Sequence, residues 1–178
     1  MLRPSRHQVL TCSSLVVSLF ALSACMNPGQ PPAPPLPALA QPFPVADTNL
    51  AAAINDADLT HIALATLAQT HAARSDIAQL GTTIVKDLTA NHDTLATLAA
   101  TGKTELAAKP SAQSQKVIDQ MKALHGAAFD KRYVRYLAST KKTTIPALDL
   151  SSAESKNADL QKLAADLKTK LLGYTKQL

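Results

Sequence analysis

The chain of 178 residues has no tryptophan, five glycines, two cysteines and, as glutamates, only Glu105 and Glu154. Each shortage excludes something. With 3 % aromatic residues and an apolar content of 46 % that is largely alanine, the core has to be built from small side chains. Helical bundles allow this and β-sandwiches seldom do. The apolar content suffices for one domain and falls short of two well-filled ones. The scattered glycines leave no phosphate-cradling loop of the dinucleotide or P-loop kind, which removes the common nucleotide enzymes. Neither glutamate is followed by histidine three positions later, so the paired Glu-x-x-His set of a di-iron carboxylate bundle cannot be assembled.

The amino terminus carries an address. Arg3, Arg6 and His7 precede an uncharged apolar run from Val9 to Leu22. That is the pattern of a secretory signal, and it is shorter than the roughly 20 residues a membrane-spanning helix needs. Leu22-Ser23-Ala24-Cys25 closes the run as a bacterial lipobox does, with Cys25 expected to become the acylated first residue of the mature protein. Cys12 has too little apolar sequence before it to compete. Once Cys12 leaves with residues 1–24 and Cys25 is blocked by lipid, no disulfide or thiol chemistry remains. Met26 rather than Asp follows the cysteine, which suggests an outer-membrane lipoprotein facing the periplasm; a periplasmic or inner-membrane-anchored protein is the alternative.

From Met26 to Ala46 eight prolines and no charged residue make a stretch unfit for helix or interior strand. Residues 25–47 therefore read as a lipidated cysteine and spacer, reaching at most about 65 Å if fully extended as polyproline. The folded domain is expected over residues 48–178. Its charge is divided: Asp47–Ala100 is net −4, and Thr101 onward is net +7.

Helical stripes fill this domain. Leu50, Ile54, Ala57, His61, Leu64, Ala68 and His71 recur at steps of four and three, and Ile77, Leu80, Ile84, Leu88, Asn91, Leu95 and Leu98 keep the same period until Gly102. With Ser75 as the expected cap between them, they predict an antiparallel hairpin. Val117, Ile118, Met121 and Leu124 predict a short helix ending near Gly126. A longer one with Phe129, Tyr133, Tyr136 and Leu137 follows and supplies the bulk, and Ile145-Pro146 is expected to kink or end it. Asn157 caps a last helix whose face carries Leu160, Leu163, Leu167, Leu171 and Tyr174. The expected architecture is all-α, a four-helix bundle with a broken or kinked third helix.

The helical hairpin with Asp87, Asn91 and Leu95, then Gly126-Ala127-Ala128-Phe129-Asp130 with Tyr133, then a final amphipathic helix, resembles the bacterial envelope family called domain of unknown function 4142 over residues 50–178. The resemblance implies a ferritin-like bundle of undefined activity at the outer membrane or in the periplasm. It also implies histidines at positions where this chain has Leu88, Lys141 and Gly173, and a glutamate where His61 stands. If those positions form a metal or polar site in relatives, most of it is missing here.

The candidate residues are few. His61 and His71 are about 15 Å apart along one helix and cannot share an ion. His92 could face His61 across the hairpin with Asp87 or Asp130 nearby, giving a loose metal site; against this, a buried, hydrogen-bonded His61 with solvent-facing His71 and His92 is the favoured expectation. No serine sits on a strand-to-helix elbow and no oxyanion hole is marked, so no catalytic residue and no cofactor is expected. Asp130, Arg132 and Tyr133 read as a helix-start charge and a core hydroxyl that finds a partner. Lys131, Arg132, Arg135, Lys141 and Lys142, interleaved with Tyr133 and Tyr136, form a basic face. In an exported, lipid-tethered protein its partner would be an anionic envelope polymer, an acidic lipid or an envelope protein rather than nucleic acid. The expected function is a non-enzymatic envelope module for structure or interaction, and the alternative is a metal-binding bundle using His61 and its neighbours.

Overall fold

A computed structural model describes residues 41–178. The signal segment, Cys25 and most of the proline-rich stretch lie outside the described residues. Six helices follow: α1 (Val45–His71), α2 (Ser75–Thr101), α3 (Ala112–Lys122), α4 (Gly126–Ser139), α5 (Thr144–Glu154) and α6 (Ala158–Tyr174). There is no strand among the described residues. None of these helices is long and apolar enough to cross a membrane.

The two stripes expected for the hairpin face inward and are buried except at His71 and Leu98, which are half-buried. Leu50, Ile54 and Leu64 of α1 meet Ile84, Leu88 and Leu95 of α2, and Phe129, Tyr133 and Leu137 of α4 and Leu160, Leu167 and Leu171 of α6 close the same core. Small residues set how closely the long helices approach. A Cβ built on Gly81 would stand 2.6 Å from the Ala65 carbonyl oxygen and 3.1 Å from the Ala68 Cβ, so α1 and α2 pack backbone against backbone there.

Several expectations are corrected. The first helix begins at Val45, inside the stretch read as spacer, because Pro44 can precede a helix without blocking it and Phe43 is held by its backbone N–H to the Gly102 carbonyl at 2.9 Å. Ser75 is the first residue of α2 rather than its cap. The backbone N–H groups of Ala73 and Arg74 at that turn donate to the Asp130 carboxylate of α4, at 3.2 and 3.1 Å, so a carboxylate distant in sequence fixes the turn that leads into α2, while Asp76 Oδ1 accepts locally from the Ile77 N–H. The third stripe is broken rather than kinked, and the break comes ahead of Ile145-Pro146: α4 stops at Ser139, and Pro146 lies in the first turn of a separate α5. A first-turn N–H has no helical acceptor, so proline there removes nothing. Asn157 does cap α6, accepting from the N–H groups of Asp159 and Leu160.

Two further aspartates of α1 tie the bundle together. Asp47 accepts from the Ser155 hydroxyl at 2.7 Å and the Lys156 N–H at 3.1 Å, fixing the start of α1 to the turn before α6. Asp56 accepts from Ser111, whose own hydroxyl caps α3. Charge-assisted bonds of this kind hold the short helices α3 to α6 against the long α1.

Candidate functional site

The ends of α3, α4 and α5 do not all pack flush against α1, and a cavity of about 480 Å3 remains between the four helices. That lies in the range of roughly 300–1,000 Å3 usual for small-molecule sites. His61 stands in its wall, 2 % exposed, brought there by the inner stripe of α1. Its Nδ1 lies 2.7 Å from the Ala57 carbonyl oxygen. A carbonyl only accepts, so Nδ1 carries the proton and Nε2 is left as a lone-pair acceptor. That Nε2 is buried and has no partner. Burial holds the imidazole pKa below its ordinary value, against the opposing pull of the Ala57 bond and the Asp56 charge, which keeps the ring neutral. The Tyr136 ring sits 5.4 Å from the imidazole, centroid to centroid, tilted by 51°. Burial, with the Asp56 charge in the same direction, raises the Tyr136 pKa and keeps the phenol protonated.

Four hydroxyls of the wall already donate elsewhere. Thr60 Oγ1 donates to the Asp56 carbonyl at 2.5 Å, Ser139 Oγ to the Tyr136 carbonyl at 2.7 Å and Thr143 Oγ1 to the Ser139 carbonyl at 3.1 Å. Ser114 Oγ donates to the Asp56 carboxylate at 2.8 Å. Ala53, Ala57, Val117, Ala147 and Leu148 make the apolar part.

One turn before His61 a second buried polar group points into the bundle. Asp58 is 0 % exposed; its Oδ2 accepts from Asn91 Nδ2 at 2.9 Å, and its Oδ1 has no partner. Desolvation pushes its carboxyl pKa up to about 7, with the Asn91 bond and the Lys170 charge pulling the other way. The Tyr133 hydroxyl is also buried and unpartnered, so the partner expected for it is not found. Tyr174 donates to Asp87 Oδ2 at 3.0 Å, and Lys170 donates to the Asp87 carbonyl at 3.1 Å.

The weak metal candidates are dispersed by the fold. His61 faces the cavity and His92 does not face it: His92 Nε2 pairs with Asn55 Oδ1 at 3.0 Å, half-buried in the middle of α2 rather than solvent-facing. Asp87 is bound to Tyr174 and Asp130 to the α1–α2 turn. Hence no two of these four share a site. Among the described residues no group of three or more His, Cys, Asp or Glu side chains is placed to hold an ion. His71 is half-buried and stacks on His125, ring centroids 4.0 Å apart, so it too departs from the solvent-facing expectation.

On the basic face Lys131, Arg132, Arg135, Lys141 and Lys142 are all exposed, and Arg132 donates to Gln120. Tyr133 is 1 % exposed and points into the core, so it does not interleave with them. The sequence reading missed Asp56, Asp58, Thr60 and Ser114. Asp58 carried a signal: Ile54, Asp58, His61 and Ala65 continue the inner stripe at steps of four, three and four, which places the carboxylate indoors.

A family model described as Domain of unknown function (DUF4142) matches residues 31–177. The chain belongs to the DUF4142 family. No curated protein and no solved structure matches it. Of the positions where the DUF4142 resemblance implies histidines, Leu88 is buried in the core, Lys141 is exposed after α4 and Gly173 lies on α6 beside open space. None of the three lines the His61 cavity.

Proposed function

We propose that this DUF4142 chain is an exported lipoprotein, anchored to the outer membrane through Cys25, whose helical bundle is a non-enzymatic module that binds a small ligand in the His61 cavity. The observation that carries the ligand site is the His61 Nε2, a buried acceptor without a partner in the wall of a cavity of about 480 Å3. Leaving such a group unsatisfied is unfavourable by about 1–3 kcal/mol, and a ligand that donates to it recovers this. Catalysis is not part of the reading, because the Thr60, Ser139, Thr143 and Ser114 hydroxyls give their protons to carbonyl or carboxylate oxygens and no wall hydroxyl is hydrogen-bonded to the imidazole as a nucleophile would be. The exposed lysines and arginines of the basic face would turn the tethered bundle toward anionic envelope material.

The ligand site is tested with the full-length protein, in detergent and labelled with 15N-histidine. The His61 Nε2 resonance is followed while a low-molecular-weight extract of the cell envelope is added. A saturable shift of that resonance, with the other imidazoles unmoved, supports the reading; no response of His61 to the extract would overturn it. The anchor is tested separately: Cys25→Ala is expected to leave an uncleaved precursor or to release the domain from membranes. A mature-sized variant that still fractionates with membranes would refute the lipid anchor.

A further inference from the structure

We propose that the His61 cavity takes a protonated primary amine carried on a short aliphatic chain. This rests on the reading of the cavity as a ligand site and names the chemistry of its ligand.

His61, a residue of the wall, has an unpartnered lone pair at its buried Nε2. Thr60, Ser139 and Thr143 have spent their hydroxyl protons on backbone carbonyls, and Ser114 has spent its own on Asp56, so each offers the cavity only oxygen lone pairs. Asp56 adds a carboxylate. It accepts from the Ser111 N–H, the Ser111 hydroxyl and the Ser114 hydroxyl, all neutral donors, and no lysine or arginine stands in the cavity wall. The wall therefore carries a negative charge that no cation offsets, in a chain whose overall charge is +5.

An ammonium group has three donors and no acceptor, which matches such a wall. A carboxylate or phosphate would meet lone pairs and a like charge. A neutral polyol would bring as many acceptors as donors, with only the Tyr136 phenol, the Gln113 amide and the Thr144 hydroxyl to satisfy them. Tyr136 puts an aromatic ring in the wall, a group that suits a cation, and Ala53, Ala57, Val117, Ala147 and Leu148 suit the methylenes behind it. An ammonium moved out of water needs an opposite charge and full hydrogen bonding, and Asp56 with the ring of acceptors provides both. The amine could belong to a free diamine or to the side chain of a diamino acid in an envelope polymer; the chemistry at the wall is the same.

The test is calorimetric titration of the full-length protein in detergent. The probes are 1,5-diaminopentane for the free source, Nα-acetyl-lysine amide for the polymer-borne one, and 1,5-pentanediol and glutarate as the neutral and anionic counterparts. At least one amine is expected to bind saturably, with the diol and glutarate at least about tenfold weaker. Asp56→Asn, which keeps an acceptor for Ser111 and Ser114 and removes the charge, is expected to weaken the amine at least about tenfold without changing the fold seen by circular dichroism. Tyr136→Phe should weaken it less. Whichever amine binds tighter identifies the source. Equal binding of amine and diol, preference for glutarate, or an amine affinity unmoved by Asp56→Asn overturns the proposal, as does saturation of His61 by zinc in place of any amine. Should the His61 resonance respond to envelope extract and to neither amine, the amine proposal fails while the ligand site stands; should it respond to nothing, both fall.

Discussion

Asp58 and His61 stand three residues apart on α1, both buried, yet they meet different neighbours. On the side of Asp58, α1 lies along α2, each helix 27 residues long, with Gly81 letting the backbones touch. Two long helices with small residues at their contact fill space continuously, and the carboxylate is enclosed with Asn91 as its one donor. On the side of His61, α1 is covered by α3 and α5 of 11 residues each and α4 of 14. Short helices bring ends and turns to the surface they cover, and ends do not interdigitate as helix faces do. The cavity is the consequence. Buried polarity thus acts as a strain on the packed side and as an unmet acceptor on the open side, although the same helix supplies both.

Four substitutions break or sharpen this contrast. The largest effect is expected where the open side gets its bulk. Phe129 is fully buried between His71 and Tyr133, with ring centroids 5.7 and 5.5 Å away. Phe129→Ala should destabilise the domain by about 3–5 kcal/mol, a large share of the roughly 5–15 kcal/mol a domain possesses. Denaturant unfolding checks this, and a loss below about 1 kcal/mol would remove Phe129 from the core.

Next comes the pH response of the two buried groups. The Asp58 carboxyl is raised in the fold from 3.8 to about 7, so the folded state holds a proton that the unfolded state has lost. Its contribution is present in acid and declines as pH rises from about 4 to 7, by up to about 4 kcal/mol. The His61 imidazole is lowered from 6.5, so its contribution is present above that value and is lost as pH falls below it through the folded pKa. The two slopes oppose each other in mild acid. Asp58→Asn should stabilise the domain at pH 8 by about 2–4 kcal/mol and expose the His61 slope, with stability now falling on acidification below pH 6.5. Melting curves of both proteins from pH 5 to 8 show whether the difference between them closes toward acid, as it must.

A smaller effect is expected at the close approach of the hairpin. Gly81→Ala gains helix propensity but drives a methyl into the Ala65 carbonyl, and the backbone has to part; a net loss of about 1–3 kcal/mol is expected. A gain in melting temperature would show that α1 and α2 have room there. The smallest effect belongs to the cavity. Ala147 is exposed at its edge, so Ala147→Met should change stability by less than about 0.5 kcal/mol while abolishing the His61 response to ligand. An unchanged response would place the ligand elsewhere.

The sequence by itself determined the helical class, the hairpin and most of the core. Stripes such as Leu50, Ile54, Leu64 and Ile84, Leu88, Leu95 belong to patterns periodic over about six turns, and such a pattern has one way to be buried. The same stripe carries His61 inward as a buried, hydrogen-bonded imidazole. What only the tertiary structure decided were the long-range polar pairings. Asp130 holds the turn before α2, Asp47 holds the turn before α6, and Asp56 anchors α3, across separations of 56, 109 and 55 residues. His92 turns to Asn55 and away from His61, and Pro146 opens a helix in place of ending one. Periodicity tells which face of a helix goes inward, because that is a property of one segment. Which donor meets which carboxylate, and where short helices fail to fill the space beside a long one, depends on how several segments end next to each other, and that information exists only once they are packed.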